Sequence, residues 1–227
     1  KNTTYTASFT EGLKVSYNGN KPSGASGTVT NVPADPATYK SGDTVTVSTV
    51  VPTLPGYKFN GWYTAATGGT KYGTSFTINA ATTLYAQWGN ATITTDGINL
   101  AKGSTTYGDN FSTDAVGKAV AGKNPGVPLK YSCAALAGIG LSIDEDTGVI
   151  SGRPYHVEAG QSFTITVSHA NNAAATASVT YTLDVGRATP TLTASVASGN
   201  QTGSAFSSAK YNYTVTAPLY TGSTNGW

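Results

Sequence analysis

Apolar and polar residues alternate with a period of two through most of the chain. Val45 and Val47 alternate with Thr44 and Thr46, and Phe163, Ile165 and Val167 with Thr164, Thr166 and Ser168. Val179, Tyr181, Leu183 and Val185 interleave with Thr180, Thr182 and Asp184, and Tyr211, Tyr213 and Val215 repeat the scheme. Successive side chains of a strand point to opposite faces, so each set predicts a half-buried strand with Thr on its wet side. No ten-residue window carries apolar residues at i, i+3, i+4 and i+7, and at most a short turn of helix is expected. The predicted class is all-β.

An internal comparison adds organisation. NTTYTASF at Asn2 to Phe9 parallels ATTLYAQW at Ala81 to Trp88, with Tyr5, Ala7 and Phe9 on one strand face against Leu84, Ala86 and Trp88. Read as one closing strand occurring twice, this makes residues 1–11 the tail of a preceding repeat and residues 12–90 one whole module of a tandem array.

That module contains VSYNGN from Val15, DPATYKSGDTVTV from Asp35 and LPGYKFNGWYTAATGGTKYGTSFTINAATTLYAQW from Leu54. These elements resemble the internalin B-repeat family, also called the Listeria–Bacteroides repeat, over nearly all of residues 13–88. The resemblance implies a small β-grasp-like fold. Gly56 and Gly61 permit tight turns around Tyr57 and Phe59, and Trp62 and Trp88 supply apolar area to a small core. GYKFNGWY could alternatively be an exposed aromatic platform for sugars. The core reading is favoured for both Trp, because each lies on the inward face of its own alternation.

From Ala91 the pattern changes. The stretch Pro128 to Val185 contains GLSIDEDTGVISGRP and then two long strands. It resembles the cadherin-like immunoglobulin module of bacterial surface proteins, with Gly138 where that family commonly has Pro and Arg153 where a small residue precedes Pro154. The resemblance implies an immunoglobulin-like β-sandwich over 91–186. Within it IDEDTGVI reads as a hairpin: Asp146, Thr147 and Gly148 make the turn, and Ile143, Val149 and Ile150 return the chain to the core. Residues 187–227 read as a linker and a partial third β module, because about forty residues are too few for a whole sandwich.

Composition narrows the function. Of 227 residues only 11% are charged, against the roughly 25% usual in globular domains, while roughly one in six is Thr and 27 are Gly. Thirteen Lys and Arg against eleven Asp and Glu give a formal charge of +2, with the lysines scattered along the chain. A nucleic-acid partner is disfavoured, since phosphate binding needs a concentrated basic footprint. No segment is apolar enough to insert in a membrane. With no Met and no apolar leader, the chain reads as a segment of a longer array. The single Cys133 has no partner in the chain, so it is expected to be a buried, inert thiol.

Candidate chemistry is sparse. Asp144, Glu145 and Asp146 form the densest carboxylate run, a composition that can hold Ca²⁺, but consecutive residues cannot all face one ion and turn formation is the stronger reading. His156 and His169 are separated by a strand and match no zinc or triad spacing; Glu158 lies two residues from His156, as a surface ion pair would place it. No nucleophile elbow, phosphate loop or dinucleotide fingerprint occurs. Five Asn-x-Ser/Thr sites, at Asn2, Asn90, Asn110, Asn200 and Asn212, are close to the roughly four that fifteen Asn yield by chance in so Ser/Thr-rich a chain. No catalytic, cofactor-binding or metal-binding residue is assigned, no cofactor is expected, and the ligand-binding residues stay open.

The resemblances imply a non-catalytic extracellular array of a bacterial cell-surface or secreted protein, acting as spacer or adhesive surface. A host surface protein or glycan is the expected partner, and the chain is expected to be monomeric. The alternative is a carbohydrate-binding accessory of a polysaccharide-degrading enzyme, which requires Trp or Tyr outside the core.

Overall fold

A computed structural model describes residues 12–196 and 211–216. The repeat of the closing strand over Asn2 to Phe9 lies outside the described residues. The chain divides into two compact units, one of residues up to Ile93 together with Ser168–Thr176, the other of Thr94–Val167 and the residues from Ala177 onward.

Unit 1 contains β1 (Val15–Asn18), β2 (Thr44–Thr46), β3 (Tyr57–Tyr63), β4 (Ser75–Thr77) and β5 (Thr82–Asn90). The longest strand, β5, lies between β1 and β3, parallel to β1 and antiparallel to β3, while β2 pairs antiparallel with β4. A parallel pair of first and last strands is what a β-grasp-like unit needs. The segment that leads from β1 to β2, residues 19–43, contains no helix.

One face of this sheet closes on a core of Val15, Val45, Val47, Trp62, Ile78, Leu84 and Ala86. Val45, Ile78, Leu84 and Ala86 are fully buried. The predicted Val45/Val47 alternation therefore holds. Trp62 reaches the core by a different route from simple alternation. A strict period of two would set it opposite Phe59, but the register against β5 shifts between Phe59 and Gly61. This bulge adds one residue and turns Phe59 and Trp62 to the same face. There Trp62 meets Tyr17 and Phe59 edge-on, with ring centroids 4.8 and 5.2 Å apart.

Unit 1 also takes in the turn between two long strands, Ser168–Thr176. Asn172 is buried, and its Nδ2 donates to the Gly56 carbonyl at 2.8 Å and to Asn90 Oδ1 at 3.0 Å. Asn90 Nδ2 in turn donates to the Ala174 carbonyl.

Unit 2 contains β6 (Gly103–Thr106), β7 (Phe111–Thr113), a helix α1 (Ala115–Lys123), β8 (Leu129–Ser132), a 3₁₀ turn (Ala134–Ile139), β9 (Leu141–Ile143) and β10 (Ile150–Gly152). The strands β11 (Glu158–His169) and β12 (Asn172–Gly186) follow. They build two sheets, β7-β10-β9 and β6-β12-β11-β8. Phe163, Ile165 and Val167 of β11 are buried, as are Val179, Tyr181, Leu183 and Val185 of β12, so the two long alternations are inward faces.

The helix corrects the expectation of at most one helical turn. It spans nine residues and buries only Val116, Gly117 and Val120. Two Val at i and i+4 are too narrow a stripe to stand out as a helical period. Tertiary contacts hold it instead. Asn124, just past its end and 6% exposed, donates from Nδ2 to the Val120 and Thr94 carbonyls and accepts from the Thr94 N–H on Oδ1.

Two last strands, β13 (Thr191–Val196) and β14 (Tyr211–Thr216), pair antiparallel with each other. The alternation at Tyr211, Tyr213 and Val215 is thus a strand. Leu192 on β13 is 65% exposed.

Candidate functional site

The densest carboxylate cluster is a turn. Asp144 Oδ1 accepts the Thr147 hydroxyl and N–H, both at 2.7 Å, and the Asp146 N–H at 3.1 Å. These donors hold its carboxyl below the usual carboxylate range, the Thr147 hydroxyl contributing most. Glu145 and Asp146 both pair with Lys130 Nζ, at 3.3 and 2.7 Å. The three acids are thus committed to a turn and an ion pair, and no group of three metal-ligating side chains occurs among the described residues. Gly148 follows at φ 69°, as the turn requires, and Ile150 is fully buried, with Ile143 and Val149 half-buried.

The two histidines stand apart. His156 Nε2 lies 3.4 Å from Glu158 Oε2, both side chains about half exposed, the surface contact that their spacing implied. His169 is buried, and its Nδ1 accepts the Asn171 N–H at 3.1 Å. Burial pushes its pKa below the ordinary value of 6.5. Cys133 is half-buried, not buried as expected. Leu129 and Tyr131 are inward on β8, but the strand ends at Ser132 and the chain turns into the 3₁₀ segment before Cys133 can complete the alternation. Arg153, one of the departures from the immunoglobulin pattern, donates from Nε to Asn110 Oδ1 at 2.8 Å.

The aromatic residues of unit 1 lie on both faces of its sheet. Trp62 is 4% exposed and Trp88 is half-buried, its Nε1 donating to the Gly19 carbonyl at 3.0 Å. Neither is an open platform. Two open hollows of about 400 and 420 Å³ border these rings, the first lined by Ser48, Phe59, Lys71 and Tyr72, the second by Lys21, Gln87 and Trp88. On the opposite face of β5, Tyr85 is directly paired with Tyr63 of β3, and both are half-buried, as Trp88 is. The sequence reading included Tyr63 in the alternative platform GYKFNGWY and did not single out Tyr85. The bulge that turns Trp62 inward turns Tyr63 outward, and a plain period-two reading does not show it.

The fold and these surfaces can be set beside known families. Residues 14–87 match the Listeria-Bacteroides repeat domain. Residues 91–186 match the family described as Putative Ig domain. The order is the one the motifs implied. Comparison with curated proteins and with solved structures returned no match. Both matched families are repeat or Ig-like domains typical of bacterial surface proteins, and neither is an enzyme family.

Charge differs between the two matched regions. Residues 12–90 hold five Lys and two Asp, a formal +3; residues 91–186 hold four Lys and one Arg against six Asp and two Glu, a formal −3. The near-neutral total conceals this asymmetry. A count per module recovers it from sequence.

Proposed function

We propose that this chain is a non-catalytic part of a bacterial surface array, a spacer that also offers an adhesive face to host proteins or glycans. The observation that carries the reading is the adjacency of two domains of surface-protein type, one ending at residue 87 and the next starting at 91. The densest carboxylate run and the two histidines are engaged in a turn, a surface pair and a buried backbone contact. In this reading residues 1–11 close a preceding repeat, 12–90 and 91–186 are whole modules, and 187–227 open a third. The pairing of β13 with β14 supports the last point, since these strands extend neither sheet of unit 2.

In-frame deletion of residues 12–186 from the parent protein tests the proposal on whole cells. Adherence to a matrix-coated surface is expected to fall while export continues. Restoration by an unrelated two-domain insert assigns a spacer role alone, and failure to restore assigns an adhesive one. Unchanged adherence after the deletion contradicts both.

A further inference from the structure

The outward face of the unit 1 sheet carries one continuous row across its strands. Lys71 bridges to Tyr63, Tyr63 pairs with Tyr85, and Tyr85 pairs with Asn18 of β1. Directly paired residues place their side chains on the same face as close neighbours. Strands spaced by about 4.8 Å make this row about 14 Å long, enough for more than one sugar ring. In order, its paired positions are a lysine, two tyrosines and an asparagine, and the end of the lysine side chain lies over Gly61, one strand in from its own backbone.

The polar ends are available. Lys71 makes no ion pair among the described residues; all four salt bridges fall on side chains of residues 102–184. Its stem crosses Gly61, where an added Cβ would overlap Lys71 Cε, so the glycine makes room for the lysine on this face. Asn18 Oδ1 accepts the Asn20 N–H at 2.7 Å, which leaves its Nδ2 donors unpaired among the described residues. The two acids of the module are occupied elsewhere: Asp35 accepts the Tyr39 hydroxyl and the Ala37 N–H, and Asp43 the Lys40 N–H. Lys58, also outward and exposed opposite Gly89, adds a second cation to the same face.

We propose that the row Lys71–Tyr63–Tyr85–Asn18 binds an acidic glycan chain. The ring faces of the two tyrosines cover the apolar C–H face of sugar rings, the phenols and the Asn18 amide bond to ring hydroxyls, and Lys71 meets a carboxylate or sulfate. The +3 charge of the module favours an anionic chain over a neutral one. The proposal rests on the adhesive half of the reading above and gives it a ligand class.

Native affinity electrophoresis of the whole chain in gels containing polygalacturonate, heparin, neutral dextran or polyglutamate tests it. Retardation by polygalacturonate assigns a carboxylate sugar, and retardation by heparin a sulfated one. Tyr63→Ala and Tyr85→Ala should each weaken retention at least tenfold, and Lys71→Gln should abolish the preference over dextran. Lys40→Gln, away from the row, should keep the preference over dextran that Lys71→Gln abolishes, and circular dichroism must show each variant folded. The idea is overturned by mobility unaffected by either acidic glycan, by equal retardation in polyglutamate, or by folded row variants that bind as the parent does. Loss of glycan retention with cell adherence intact would remove this proposal and leave the surface-array reading standing.

Discussion

Gly117 of α1 and Gly148 of the β9–β10 turn approach each other backbone to backbone. A Cβ on Gly148 would lie 2.7 Å from Gly117 Cα, and one on Gly117 would overlap the Thr147 carbonyl oxygen. The pair explains how a helix with only two buried Val is retained: its smallest residue lets the turn seat directly on it. The Tyr131 hydroxyl closes the arrangement by donating to the Gly117 carbonyl at 3.2 Å.

Helix propensity and packing predict opposite signs for Gly117→Ala. Propensity alone would give a gain of about 1 kcal/mol. The clash with Thr147 is with backbone, which cannot swing aside, and overpacking of this kind costs about 1–3 kcal/mol or more. Gly122→Ala is the control, since an added methyl there meets nothing within 4 Å; it should stabilise by about 0.5–1 kcal/mol. Urea unfolding of the two variants checks both signs.

Trp62 is the largest side chain of the unit 1 core. Trp62→Ala should cost about 3–5 kcal/mol, read as a drop in the denaturant midpoint of unit 1. Gly61→Ala should also destabilise, since φ at this position is 132° and the new methyl would overlap Lys71.

Acid stability should depend on Asp144. Its folded pKa is depressed by the Thr147 and Asp146 donors, so the unfolded chain binds its proton first. The stabilisation is full above the unfolded pKa of about 3.9 and is lost as pH falls toward the lower folded value. Asp144→Asn should flatten the stability curve below about pH 4. An unchanged acid slope would show that the turn donors do not select the ionised form.

His169 gives a second pH dependence with a different window. Burial lowers its pKa, so the folded chain takes up a proton less readily than the unfolded one. Stability should fall as pH drops below about 6.5 and level off beneath the folded pKa. An NMR titration of the His169 ring should give a midpoint under 6.5, and a midpoint at or above it would contradict the burial argument.

What the sequence revealed depends on whether a residue obeys a simple period. Phe163–Val167 and Val179–Val185 sit on regular long strands, so alternation reads their burial directly. Helix α1 was invisible because its identity lies in a contact between Gly117 and a turn some thirty residues later, not in its own apolar spacing. The candidate row was hidden for a related reason. A single added residue between Phe59 and Gly61 exchanges the faces of Trp62 and Tyr63, and no local pattern announces the bulge. Asp144 was legible, because Asp and Thr around Gly is turn chemistry written in adjacent residues. The depth of Cys133 was not, since it depends on where β8 stops.

Brief protease treatment of intact, unpermeabilised cells of the source bacterium, followed by mass spectrometry of the released peptides, tests the surface-array account most directly. The account predicts peptides from both the 14–87 and the 91–186 modules in the released fraction. Peptides from these modules appearing only after the cells are lysed would contradict it.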